Sequence, residues 1–356
     1  HTLARSMSGQ VGDIDEALDR GDALAVSLRT SQPLARDQIA LNRVLTAQAR
    51  ADLASSARIA AEVRQADDFS DRLQGPWFYI DLMAEIMRGD VTTAVTDAEQ
   101  AIALHRVSDP IGTAPMAMAL GGLVHAMSGE PTAALRLIDE ALGGGAEHQA
   151  RCRVWIGLAD AWITALGGDL AEAARTAADA GRRAIEARHV VWGAIAAHGA
   201  VRLGSPELAR ELLGSLEAGP LVGLLRDHAH ADTPVALGKS AAQFRDHGMH
   251  ALAAETWATI ALDDDADPLT RTHAEMRAVS AGARCRGLRS PLLARVESPL
   301  SSRQVEVAER AADGQTSREI ADGLFVATKT VDNHLQTIYR TLGIGSRAEL
   351  AELLRG

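Results

Sequence analysis

Apolar residues along most of this chain recur every three to four positions, the spacing of one helical face. The run Ala134, Leu135, Ile138, Ala141 and Leu142 is representative. Between such runs a short punctuation repeats, a small residue followed by an acid. It stands at Arg20-Gly21-Asp22, Arg50-Ala51-Asp52, Arg88-Gly89-Asp90, Ser128-Gly129-Glu130 and Gly167-Gly168-Asp169, with weaker copies at Gly204-Ser205-Pro206 and Gly248-Met249. Most copies lie 36 to 44 residues apart. Glycine ends one helix because it tolerates a left-handed backbone, and the acid then sits against the positive end of the next helix. A period of this length predicts stacked helix pairs over residues 1–290, a solenoid whose groove suits a peptide, a protein or a small molecule. A scaffold or dimerisation arm is the plainer use of the same architecture.

The pattern breaks at Arg289-Ser290-Pro291 and again at Ser298-Pro299, so residues 291–299 read as a linker and joint. Arg284, Arg286, Arg289 and Arg295 make this junction basic, as a solvated tether or as an arm on phosphates. Residues 300–356 then carry three capping boxes, Ser301-x-x-Gln304, Thr316-x-x-Glu319 and Ser346-x-x-Glu349. They predict four short helices, with Gly314 and Gly343 as stops. In the third, from about Thr328 to Leu342, Val331, Leu335, Ile338 and Leu342 share one face. They are expected to pack on Val307, Ala308, Ala311, Ile320 and Leu324. Lys329, Asp332, Asn333, Gln336 and Arg340 are then left outward, an amide-rich stripe of the kind that enters a major groove.

These residues carry a resemblance. Leu300-Ser301-Ser302-Arg303, Ser317-Arg318-Glu319-Ile320-Ala321, Leu324-Phe325-Val326, Lys329-Thr330-Val331-Asp332-Asn333-His334 and Tyr339-Arg340-Thr341-Leu342-Gly343 together resemble the LuxR/NarL-type helix-turn-helix of bacterial transcription regulators. The likeness implies an all-α four-helix module that binds double-stranded DNA. Asp332, Asn333 and Gln336 would face bases. Ser317, Arg318, Lys329, Thr330, Arg340 and Arg347 would lie near phosphates. The fourth helix, through Ala348, Ala351 and Leu354, would pair two copies as a homodimer. Ala327 departs from the family pattern, standing where a serine usually caps helix three. The repeat region resembles tetratricopeptide-like repeats, and the whole resembles the C-terminal part of MalT-like (LAL) regulators without their ATPase. That makes the chain a piece of a larger regulator or a shorter relative, with an unknown small-molecule or protein effector. The competing reading is an interaction scaffold whose helix-turn-helix no longer reads DNA.

Composition sharpens this picture at a few points. Among 356 residues, aromatic ones are 3% and good helix formers abound, which favours an all-α fold. A net charge of −11 argues against charge-driven nucleic-acid binding by the whole chain. Even residues 299–356 hold seven Lys/Arg against eight Asp/Glu, so one module is expected to bind weakly and pairing to matter. No apolar run is long enough for a membrane helix, His1 to Gln10 lacks a signal-peptide core, and two cysteines, Cys152 and Cys285, suggest a reducing, cytoplasmic setting. Gly238-Lys239-Ser240 lacks the earlier glycine of a phosphate loop. His228, His230 and Asp232, or His247 with His250, are weighed as metal ligands and set aside as ordinary surface or core histidines. Asp263-Asp264-Asp265 with Asp267 reads as a turn, and the tryptophans as core anchors. No nucleophile–base or paired-carboxylate grouping stands out, so no enzyme, cofactor or metal is expected.

Overall fold

The computed structural model describes residues 2–10, 14–28, 31, 34–66, 69 and 73–355. Among them there are twenty α-helices and no strand: α1 (Thr2–Met7), α2 (Asp15–Leu28), α3 (Ala35–Ala49), α4 (Leu53–Arg64), α5 (Gln74–Arg88), α6 (Val91–Val107), α7 (Ala114–Met127), α8 (Pro131–Gly143), α9 (Ala150–Leu166), α10 (Leu170–Glu186), α11 (Val190–Arg202), α12 (Pro206–Leu213), α13 (Gly219–His230), α14 (Pro234–Asp246), α15 (His250–Ala261), α16 (Pro268–Gly282), α17 (Ser302–Ala312), α18 (Ser317–Leu324), α19 (Thr328–Leu342) and α20 (Arg347–Arg355). None is long and apolar enough to cross a membrane. The chain divides into two compact units, one of residues 1–231, 246–249 and 286–291, the other of residues 232–245, 250–285 and 292–356.

In the first unit the small-residue turns behave as helix stops. Gly89, Gly129, Gly168 and Gly204 all take positive φ between 85° and 93°, and Ala51 takes the same place at 61°. The acids that follow cap the next helix: Asp52 accepts from the Ser55 amide at 2.9 Å, Asp90 from Thr93 at 3.1 Å and Asp169 from Glu172 at 3.0 Å. Glu130 makes no such cap and instead meets His125 Nδ1 at 2.8 Å. Gly21 differs from expectation. It lies inside α2, where one glycine's cost of about 1 kcal/mol is too small to end a helix.

Each helix from α5 to α12 packs on its successor, and α3, α5, α7, α9, α11 and α13 also touch at every second step, forming an inner layer. The layer closes on itself, α3 meeting α13 and α1 meeting α11. At the seam, Gly9 runs so near Ala218 that an added Cβ would lie 2.3 Å from its carbonyl oxygen. Small residues allow similar approach inside the layers. A Cβ on Gly181 of α10 would meet the Ala197 amide of α11 at 2.6 Å. Of the representative run, Ala134, Ile138 and Ala141 are buried, while Leu135 and Leu142 are 48% and 37% exposed, because alanine rather than leucine fills the tight helix contacts. All five tryptophans are buried, as anchors should be.

Several candidate sites resolve into structural roles. His228 is buried against His198, ring nitrogens 2.8 Å apart, while His230 bonds the Arg226 carbonyl and His247 the Ala51 carbonyl. No group of three metal-ligating side chains occurs among the described residues. Gly238-Lys239-Ser240 is helical, within α14, and Asp267 is the N-cap of α16, accepting from the Leu269 and Thr270 amides.

The basic junction is not a free tether. The Arg286 carbonyl accepts from the Thr92 amide at 3.0 Å, the Arg289 amide donates to the Met127 carbonyl at 2.8 Å, and the Arg286 guanidinium pairs with Asp90. Beyond Pro291, Leu292 is buried against Trp257, Ile260 and Ala274, with Leu293 and Val296 packed alongside. Apolar side chains of the expected linker at 291–299, Leu292, Leu293 and Val296, thus find apolar surface on α15 and α16, while Ala294, Arg295, Glu297 and Ser298 are exposed.

Candidate nucleic-acid interface

The four terminal helices follow from their caps. The Ser301 and Thr316 boxes are reciprocal: Thr316 Oγ1 accepts from the Glu319 amide at 3.2 Å, and Glu319 Oε2 accepts from the Thr316 amide at 2.7 Å. At α20, Ser346 accepts from the Glu349 amide at 3.2 Å, but the Glu349 carboxylate reaches back one residue further, to the Gly345 amide at 3.0 Å. These backbone donors hold the Glu319 and Glu349 carboxyls below their ordinary range. Ala327 caps α19 with no side-chain bond.

The turn between α18 and α19 pivots on Phe325, which is left-handed (φ 54°, ψ 45°) and 95% exposed. It places α19 across α17 and α18. Val331, Leu335, Ile338 and Leu342 are buried with Val307, Ala308, Ala311, Ile320 and Leu324, the set expected from spacing. Five further members were not expected, Leu300 and Ala321 among them. Leu350 and Leu353 come from α20, and Met276, fully buried, comes from α16. Two polar contacts accompany it: His273 Nε2 donates to the Leu342 carbonyl at 2.7 Å, and Arg277 Nε donates to the Leu353 carbonyl at 2.8 Å. The Arg277 guanidinium lies 4.5 Å from the Trp257 ring, and burial together with Arg245 lowers its pKa. Periodicity did not show that α16 completes this core, because Met276 is the one residue of α16 in this core, while Ala274 and Ala278 of the same helix are buried with α15.

With that face buried, Lys329, Asn333, Gln336 and Arg340 stand exposed at spacings of four, three and four, a stripe about 16 Å long. Two amides lie between two cations. Thr330 is exposed beside them, and Asp332 is half-buried at the edge. Arg303 and Arg310 both pair with Glu306. Arg318, Lys329 and Arg340 have no ion-pair partner among the described residues. The cations are therefore unevenly spread in a module whose total charge is nearly balanced. Arg347 bonds the Gln315 carbonyl and the Ser317 hydroxyl, which joins α20 to the start of α18 and ties two expected phosphate residues together.

The fourth helix differs from expectation. Of the residues assigned to pairing, Ala348 is exposed, but Ala351 is 5% exposed and Leu354 packs half-buried against the module's own core. α20 packs against both α17 and α16.

Residues 298–354 match the family described as bacterial regulatory proteins, luxR family. Over 57 residues, 16% of this chain, the chain is 40% identical to the spore germination protein GerE of Bacillus subtilis, covering 77% of that protein. It is 46% identical over 57 residues to the probable transcriptional regulatory protein NarL of Mycobacterium tuberculosis, and 36% identical over 64 residues to the fimbriae Z protein of Salmonella typhimurium. It spans about a quarter of the length of that NarL relative and 30% of the fimbriae protein. No solved structure matches the chain.

Proposed function

This chain belongs to the luxR family of bacterial regulatory proteins, and on that premise we propose that it is a sequence-specific DNA-binding transcription regulator. The observation that carries the reading is the exposed Lys329–Asn333–Gln336–Arg340 stripe on a helix whose other face is the module's core. Asn333 and Gln336 offer the paired donor and acceptor that match an adenine edge, and Asp332 can accept from cytosine. Lys329 and Arg340 at the ends of the stripe, with Arg318, Thr330, Ser317 and Arg347 around it, contact flanking phosphates. Four such cations give a salt slope of about −4 per module in log K against log salt. Two copies pair on the DNA through the exposed Ala348 edge of α20, on half-sites about one helical turn apart.

The first unit is the sensing part. Its paired helices and glycine turns support reading it as a tetratricopeptide-like solenoid of the kind MalT-like regulators carry, and an effector bound there shifts DNA occupancy by favouring one of two arrangements. The protein works in the cytoplasm.

The test is selection of duplex DNA from a random pool by the full chain, repeated with the variant Gln336→Ala. Enrichment of a two-fold symmetric site by the wild type, with its preference flattened in the variant, supports the reading. Failure to retard any selected DNA at low salt refutes it and leaves an interaction scaffold.

A further inference from the structure

The inner layer of the first unit encloses a cavity of about 630 Å³, reached by α1, α3, α5, α7, α9 and the turn before α11. That volume holds on the order of 20 waters, or an organic molecule of roughly 15–20 non-hydrogen atoms. Much of its wall is apolar, with Leu41, Ile80 and Met116 buried and Trp192 forming one side. A cavity of this kind stays dry or takes an apolar guest.

One end is different. Tyr79 is buried, and its hydroxyl has no hydrogen-bond partner among the described residues. His189 lies flat beside Trp192, ring centroids 5.7 Å apart and 12° from parallel, and its Nδ1 is buried with no partner. Burial, with the nearby Arg151, lowers the pKa of that imidazole. Arg151 is fixed by Gln149 at 3.0 Å and the Gly112 carbonyl at 2.9 Å, and Arg188 adjoins His189; neither has a carboxylate partner among the described residues.

Arg188 is also strained. It takes φ 67° in the turn between α10 and α11. The turns before α7 and α9 place Gly112 and Gly145 at positive φ, and α13 opens on Gly219 at φ 84°. An L side chain is disfavoured there, so an arginine is kept at a cavity-lining position against the local backbone preference.

We propose that this cavity is a binding site for an apolar organic monocarboxylate, its hydrocarbon body among Leu41, Ile80, Met116 and Trp192 and its carboxylate between Arg188 and Arg151, accepting from Tyr79. The pairing of a carboxylate with a guanidinium fork gives specificity over a neutral or cationic amphiphile. As the effector site, it rests on the sensing role given above to the first unit.

Dodecanoate, with 14 non-hydrogen atoms, is the probe, compared with dodecanol and dodecyltrimethylammonium, all below their aggregation concentrations. Calorimetry on the full chain without DNA reads binding directly. The expected result is one saturable dodecanoate per chain, at least tenfold tighter than either comparison amphiphile. Arg188→Gly, which suits the left-handed turn and keeps the fold, should weaken dodecanoate at least tenfold, and Tyr79→Phe severalfold. No saturable binding, equal affinity for dodecanol, or indifference to Arg188→Gly overturns the site. Retardation of the selected DNA with and without dodecanoate separates the two claims. Binding without a change in DNA affinity keeps the site and rejects its regulatory role, whereas a DNA-binding chain that ignores dodecanoate rejects the site and leaves the DNA reading standing.

Discussion

Met276→Ala should loosen the DNA-binding module, although Met276 precedes the segment that matches the luxR family. Its side chain is fully buried among core residues that include Val307, Leu342 and Leu353. Removing a buried methionine side chain loses its transfer free energy, about 1.5–3 kcal/mol, and leaves a cavity, so that such changes cost about 2–5 kcal/mol in total. Here α16 is held in place by His273 on Leu342 and Arg277 on Leu353, which limits collapse into the gap. A cost of about 3 kcal/mol is therefore expected. Amides of α17, α19 and α20 that exchange only when the unit opens should then lose about 150-fold in hydrogen-exchange protection. Core amides of α7, in the other unit, serve as the internal control. If α19 protection in the variant stays within threefold of wild type, α16 is not part of this core and the reasoning fails. The same logic says that a fragment starting at Leu300 will be less stable than one starting before Pro268, by a similar amount.

Other perturbations test separate steps. Asn333→Ala should lower affinity for the selected site by about 1–3 kcal/mol while leaving the melting temperature unchanged, since the side chain is exposed; equal loss on random and selected DNA would mean it does not read bases. Phe325→Asn should raise stability by up to about 1 kcal/mol, because asparagine tolerates the left-handed turn and the 95% exposed ring gives up little packing; a lower melting temperature would show that the ring packs after all. Burial lowers the pKa of both His198 and His228, the latter to about 4 from 6.5. The unfolded chain therefore binds more protons below pH 6.5, and stability that is full above that pH falls towards pH 4, by about 2 kcal/mol for His228 alone between pH 7 and 5. Unfolding followed in denaturant across that range should show the slope, and a His228→Asn variant with an undiminished slope would assign it elsewhere.

The C-terminal module was legible because its signals are local. A cap and its reciprocal glutamate lie three residues apart, and Val331, Leu335, Ile338 and Leu342 declare their shared face within one helix. The turns at Gly89 and Gly168 were legible for the same reason, since a left-handed stop and an acidic cap are adjacent residues. The helical run at Ala134–Leu142 was ambiguous at the level of single side chains. In helices packed through alanine and glycine, leucine is not the residue that marks the interior, and Leu135 was left in solvent. The burial of Ala351 was not legible for a related reason: α20 packs against α17 and against α16, and α16 lies some 70 positions earlier in the chain.

The cavity lies at the far end of this scale. Met7 and Trp192 line it together only because the inner layer closes α1 against α11, and closure is a property of accumulated small rotations that no window of sequence contains. Trp192 reads as one more core anchor, and it is one, buried 5.8 Å from Trp155 and stacked by His189, yet it also lines the cavity. Yet one residue did carry a local signal. In the turns that join one helix pair to the next, glycine supplies the left-handed residue at Gly112 and Gly145, and Arg188 stands in that role before α11. Capping chemistry does not call for arginine there, and glycine would remove a strain of about 1–2 kcal/mol. A charged residue in a place that backbone physics assigns to glycine is a departure a single sequence can display, and here it lines the cavity, next to a buried imidazole nitrogen without a partner.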